Sequence, residues 1–132
     1  SLAKDEFIVS FSLPARAPRS GDAYLRFIPR TEMDIAVAGV GVNLTLDDSG
    51  TCTAARVCVG AVAPTALLVK DAGAALVGSK VDDAAIEKMV AAVRAACNPI
   101  DDKRGTIVYR IRVAGVLAER ATRIALDRAK ES

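Results

Sequence analysis

MDIAVAGVGVNLTL, residues 33–46, is the stretch whose reading decides the fold class of this 132-residue chain. Ala36, Ala38, Val40, Val42, Leu44 and Leu46 recur at every second position, the period of a strand with one buried face. The other face runs Ile35, Val37, Gly39, Gly41, Asn43 and Thr45, first small and then polar, which predicts another element packed closely over the glycines. Asp47-Asp48-Ser49-Gly50 is a strong turn, and Thr51 to Val62 reads as the returning strand of a β-hairpin. Ala63-Pro64-Thr65 breaks that strand, and Leu67 to Val69 adds a short third one.

Beyond residue 70 the period changes to helical. Asp71 is placed to N-cap a short helix ending near Gly78, and Asp82 or Asp83 to cap a longer one reaching Cys97. In the longer helix Ile86, Met89, Val90, Val93 and Cys97 form the inward stripe, and Asn98-Pro99 ends it. A last helix is expected from about Thr106 to Lys130, with Tyr109, Val113, Val116, Leu117, Ala121, Ile124 and Ala125 as its apolar stripe. Glu119, Arg123 and Asp127 are spaced for pairing on its exposed side. Strands followed by helices predict an α+β fold: a hairpin-based three-stranded antiparallel sheet packed against about three helices.

The leading residues read differently. Glu6 to Leu13 alternate as a short strand with Phe7, Val9 and Phe11 on one side, and Pro14 to Gly21 read as a linker. The expected division is therefore residues 1–21 as the end of a preceding unit and residues 22–132 as the compact domain. Opening on Ser1-Leu2 fits a piece of a longer polypeptide.

Composition narrows the chemistry. The chain has no histidine, which removes His-based acid–base catalysis, Ser/His triads and His-containing zinc sites together. Cys52, Cys58 and Cys97 are too few and scattered for a disulfide framework or an iron–sulfur cluster. On a regular strand Cys52 and Cys58 would share a face about 20 Å apart, out of reach of each other. Reduced structural thiols in a cytoplasmic protein without a secretory leader are the expectation. A net charge of +2 gives no case for nucleic acid or membrane surfaces, and no apolar run is long enough to span a bilayer. No Ser, Thr, Cys or Lys stands beside a convincing base, so no catalytic residue and no metal ligand set is nominated.

Two motifs stand out from this background. Gly39-Val40-Gly41 echoes a dinucleotide fingerprint but lies within a strand and lacks the third glycine, so close packing explains it better. Arg16, Arg19, Arg26 and Arg30 outnumber Asp22 and Glu32 between residues 16 and 34, a basic loop suited to an anionic cofactor or an acidic partner. Read from residues alone, the chain is an α+β domain without an active site of its own.

Three stretches resemble one family. Residues 23–42 (AYLRFIPRTEMDIAVAGVGV) are similar to the leading loop and first strand of the C-terminal domain in FAD-binding subunits of molybdenum hydroxylases, a group that includes carbon monoxide and xanthine dehydrogenases. Residues 59–65 (VGAVAPT) look like that domain's second strand and its Pro-Thr break. Residues 102–121 (DKRGTIVYRIRVAGVLAERA, from Asp102) resemble its last helix, with Tyr109, Arg110, Ala114, Gly115, Val116 and Leu117 matching. The resemblance implies a larger subunit whose N-terminal FAD domain holds the flavin phosphates on Gly-rich loops absent here. The C-terminal domain would close over that flavin, while iron–sulfur and molybdopterin subunits deliver the electrons. Carried over residue by residue, it implies Arg26, Asp34 and Ile35 as flavin-facing positions. Ile35 departs from the aromatic that carbon monoxide dehydrogenases carry after the loop's Asp, which points to a related hydroxylase. Val108 replaces the family's helix-start Glu. The competing expectation is a non-catalytic domain that docks an acidic partner through the basic loop.

Overall fold

A computed structural model describes residues 2–31 and 33–132, so Glu32 of the basic loop lies outside the described residues. The hairpin is present as β2 (Ala38–Leu46) and β3 (Cys52–Gly60), with β4 (Leu67–Leu68) beside β3. A fourth strand, β1 (Ser20–Phe27), pairs antiparallel with β2 and completes the order β1-β2-β3-β4. The expected three-stranded sheet is thus four-stranded, and residues assigned to linker and loop form its edge. SGDAYLRF alternates as a strand should: Gly21 and Ala23 face the helices, while Asp22, Tyr24 and Arg26 face outward. Its first two inward residues are small, and only Leu25 and Phe27 follow them on that face, so the alternation carries little hydrophobic signal.

Those small residues are required by α3 (Ile107–Glu131), which lies across β1 and β2. A Cβ at Gly21 would collide with the Ala125 carbonyl oxygen and stand 2.6 Å from the Ala129 backbone nitrogen. Facing the sheet, α3 presents Ala114, Leu117, Ala118, Ala121, Ala125 and Ala129, all buried. Most of the expected stripe turns inward, with Leu117, Ala121 and Ala125 buried and Val113 and Ile124 packed against the core, but Tyr109 and Val116 are exposed and Arg110 is buried. Small side chains bring the axis close to the sheet, and larger ones would hold it away.

The remaining helices complete the second layer. α1 (Lys70–Leu76) packs on β3, and α2 (Asp83–Ala96) lies between α1 and α3. Asp82 caps α2 by accepting from the Ala85 N–H at 2.9 Å, and Thr106 caps α3 by accepting from the Tyr109 N–H at 3.2 Å. Asp71 is not the cap of α1. It sits in the first turn, and Val69 occupies the cap position without a side-chain bond. Glu119 and Arg123 pair as expected, with Asp83 of α2 as the second carboxylate on Arg123.

Two details correct the strand reading. β2 begins at Ala38 rather than Met33, because Met33 takes φ +62° and residues 33–37 form a loop. A bulge at Thr45/Leu46 pairs Leu46 with Cys52 but Thr45 with Ala54, so the alternation of β3 changes phase. Cys52 is therefore buried while Cys58 is exposed on the opposite face. Among the described residues no further element covers the glycines of β2, contrary to expectation; the exposed Tyr24 side chain of the neighbouring strand lies over them, so that a Cβ at Gly39 would stand 2.7 Å from its hydroxyl, while one at Gly41 would make ordinary contact at 3.7 Å.

Residues Phe7, Val9 and Phe11 are 79 %, 85 % and 83 % exposed, and the segment around them forms no strand within the described residues.

Gly21→Val should lower the unfolding free energy by about 2 kcal/mol or more through overpacking against α3. Gly60→Ala, whose added Cβ meets nothing within 4 Å, should change it by less than about 1 kcal/mol. Chemical denaturation followed by circular dichroism separates the two.

Candidate functional site

At one end of the sheet three connections converge on the start of α3: residues 28–37, 61–66 and 98–105. They enclose an open cleft of about 340 Å³, walled by Ile35, Ala36, Ala61, Pro64, Pro99 and Ile100, with Asp102 and Arg110 also lining it. The walls are apolar yet open to solvent: Ile35 is 62 % and Ile100 70 % exposed. Apolar side chains held out into water at a concave surface mark a place where something apolar binds. Met33 and Ala61, in two of the converging loops, both hold the left-handed backbone at φ +62°. Such conformations persist only where surrounding structure fixes them.

The loop carrying Ile35 is closed on itself. At its base the Val37 N–H donates to the Phe27 carbonyl at 2.9 Å, beside Ala38 at the start of β2. Higher up, the Asp34 carboxylate accepts from the Ile35 N–H at 2.8 Å, the Arg30 N–H at 3.2 Å and the Arg30 guanidinium at 3.2 Å. The Arg30 side chain, helped by those backbone N–H groups, holds the Asp34 carboxyl below the usual carboxylate range. Phe27 and Tyr109 meet edge to face at 6.3 Å, packing the loop's base against the start of α3.

Arg110 joins the two sides. Only 3 % exposed, it donates through Nη1 to the Val37 carbonyl at 3.0 Å, through Nε to the Gly105 carbonyl at 3.3 Å and through Nη2 to Asp102 Oδ1 at 2.6 Å. Asp102 also accepts from the Arg104 N–H at 2.8 Å. The Arg110 guanidinium, then the Arg104 N–H, hold the Asp102 carboxyl below its ordinary value.

The three sequence-expected residues are distributed unevenly. Ile35 stands in the cleft wall, while Asp34 is the clasp of the same loop and lines a neighbouring basic hollow with Arg30, Lys103 and Arg104. Arg26 lies on β1 opposite Gly39, exposed on the sheet's outer face rather than in the cleft wall. Neither Arg26 nor Ile35 enters the core. Sequence reading missed the pairing of buried Arg110 with half-buried Asp102. The signal available was spacing, since Arg110, Ala114, Leu117, Ala121 and Ala125 fall on one helical face. Among the described residues no cluster of His, Cys, Asp and Glu is arranged to hold a metal ion, and no helix is long and apolar enough to cross a membrane.

Residues 23–125 match the family described as the CO dehydrogenase flavoprotein C-terminal domain. The chain belongs to that family. It is 36 % identical over 130 residues to the carbon monoxide dehydrogenase medium chain of Afipia carboxidovorans, covering 98 % of this chain and 44 % of that one. It is 30 % identical over 130 residues to the 6-hydroxypseudooxynicotine dehydrogenase complex subunit alpha of Paenarthrobacter nicotinovorans, with the same coverage. Among solved structures, reconstituted CO dehydrogenase from Oligotropha carboxidovorans superposes with a TM-score of 0.83 at 35 % identity, over 88 % of this chain and 40 % of that one. The chain thus spans about 44 % of the length of the curated relatives it matches.

Because the Asp102 and Asp34 carboxyls titrate below their unfolded values, the stability they contribute is present above about pH 4 and is lost as pH falls through the lowered values. Asp102→Asn should therefore be less stable than the parent at neutral pH, with the gap in denaturation midpoint narrowing toward about pH 2. An unchanged gap across that range would remove the ion pair from the account.

Proposed function

We propose that this chain is the C-terminal domain of an FAD-containing electron-transfer subunit in a carbon monoxide dehydrogenase-like molybdenum hydroxylase. In this reading it closes over the flavin and helps pass electrons from iron–sulfur clusters to an acceptor. The observation that carries it is the apolar cleft between Ile35 and Ala36, set on a loop whose base is bonded into the sheet and α3, and Ile100 on the facing loop. A flat aromatic ring system needs such a wall, and an open cleft accepts its edge or face. FAD fits this wall through its ring alone, because no Gly-rich phosphate loop opens a helix here. The bound flavin supplies one- and two-electron transfer.

This chain's residues orient and exclude. Ile35 covers the ring and keeps water from it, Asp34 holds the loop that presents Ile35, and Arg26 places positive charge at the loop's near end. The expected boundary at residue 21 moves forward, because Ser20 and Gly21 pair with β2 inside this domain. The residues before β1 belong with the preceding FAD domain, and the exposed Phe7, Val9 and Phe11 support this as a strand that lacks its sheet. Iron–sulfur and molybdopterin subunits are the further partners, and molybdenum chemistry resides in the latter. Ile35 in place of an aromatic favours a related hydroxylase over a carbon monoxide oxidiser. The three free cysteines suit a cytoplasmic protein. The alternative, docking an acidic partner through the basic loop, loses support from the arginines themselves. Arg16 pairs with Asp22, Arg19 donates to the Asp47 carbonyl, and Arg30 pairs with Asp34.

The complete subunit should purify yellow with the two visible flavin bands, and deletion of the region upstream of residue 1 should abolish them. Residues 1–132 alone should be colourless. Ile35→Glu in the complete subunit should raise flavin fluorescence by admitting water to the ring. Yellow protein from residues 1–132 alone, or a complete subunit that binds an acidic partner and no flavin, would overturn the proposal.

A further inference from the structure

We infer that Arg110 is the positioning residue of the flavin cleft, fixing the distance between its two walls and thereby the environment of the ring. This rests on the flavin reading above and adds a residue to it. The wall formed by Ile35 and Ala36 continues directly into Val37, whose carbonyl accepts from Arg110 at 3.0 Å. The facing wall, with Pro99 and Ile100, continues into Asp102 and Gly105, which accept from the same guanidinium at 2.6 and 3.3 Å. One planar group therefore bonds both walls at their bases, from a rigid position in the first turn of α3.

The alternatives for fixing those walls are few. Val37 is fully buried, its N–H is engaged by Phe27, and its carbonyl has Arg110 as partner. Without the guanidinium the carbonyl would be left buried and unpaired, so the loop would shift to find another donor. Gly105 and Asp102 bond each other's backbone, N–H to carbonyl, at 3.2 and 3.3 Å, so the facing loop is tight by itself. What Arg110 adds is its placement relative to Ile35. Lysine retains the charge but offers a single nitrogen, which cannot reach three acceptors in a fork.

The test uses the complete subunit loaded with FAD. Arg110→Lys should raise flavin fluorescence, alter the shape of the visible bands, shift the flavin midpoint potential and weaken FAD binding by about fivefold, the consequence of losing well-formed bonds in the wall. Asp102→Asn, which keeps the guanidinium bonds to Val37 and Gly105, should move the same readouts in the same direction by less. Met89→Ala, a fully buried truncation in α2 away from the cleft, serves as a control. It should lower stability and leave the flavin spectrum and potential unchanged. If Arg110→Lys does not fold, Asp102→Asn carries the test by itself. Flavin signals unchanged in the folded variants, while Ile35→Glu still alters them, would overturn this inference and leave the flavin reading standing. A parent subunit without FAD would overturn both.

Discussion

Close contact between α3 and the sheet sets the rest of the structure. With a hydrogen as the Gly21 side chain and a run of alanines opposite, the helix backbone comes against β1 without an intervening layer of large side chains. At that spacing a residue in the first turn of α3 reaches across to a main-chain carbonyl at the start of β2. Arg110 bonding to Val37 is therefore a consequence of alanines and a glycine far along the helix. Larger side chains in the seam would lift the helix, and the guanidinium would lose the carbonyl that makes its burial tolerable. The cleft at the sheet end inherits its shape from a seam that contributes none of its walls.

How much of this could be read from residues follows the size of the side chains involved. β2 was legible because Val40, Val42, Leu44 and Leu46 alternate with small or polar neighbours, and the Asp-Asp-Ser-Gly turn fixes its return. α2 was legible for the corresponding reason at helical period. β1 was hidden because its inward positions begin with Gly21 and Ala23, which carry almost no hydrophobic weight, while its outward arginine suggests a loop. α3 was found with most of its inward face, but Tyr109 and Val116 were misplaced there, since they outweigh alanine in any hydrophobic pattern although alanine is what fits. The phase change in β3 had no local signal, because a bulge is decided by the partner strand as much as by its own residues.

The site shows the same limit in another form. Asp34 and Ile35 were picked out by family resemblance, and the structure gives them distinct physical tasks: one ties the loop, the other projects from it. Arg26, chosen with them, follows the outward side of β1 and faces a different surface. Arg110 was named only as a residue matching the family's last helix, and its bonding was hidden because its partners are dispersed. Asp102 lies eight positions earlier and the Val37 carbonyl seventy-three, and a main-chain acceptor leaves no trace in residue identity. Buried polar contacts to backbone are legible only once the fold has brought the backbone there.

Stability alone gives a poor account of why this position holds an arginine. A buried ion pair costs much of its attraction in desolvation, and an apolar side chain of similar volume would commonly serve a core equally well or better. An apolar residue, however, has no preferred direction and would leave the Val37 carbonyl without a donor. The guanidinium instead prescribes angles and distances to three acceptors on two segments, and Asp102 makes its charge admissible there. That is specification of geometry, at the one place where loop, turn and helix must agree.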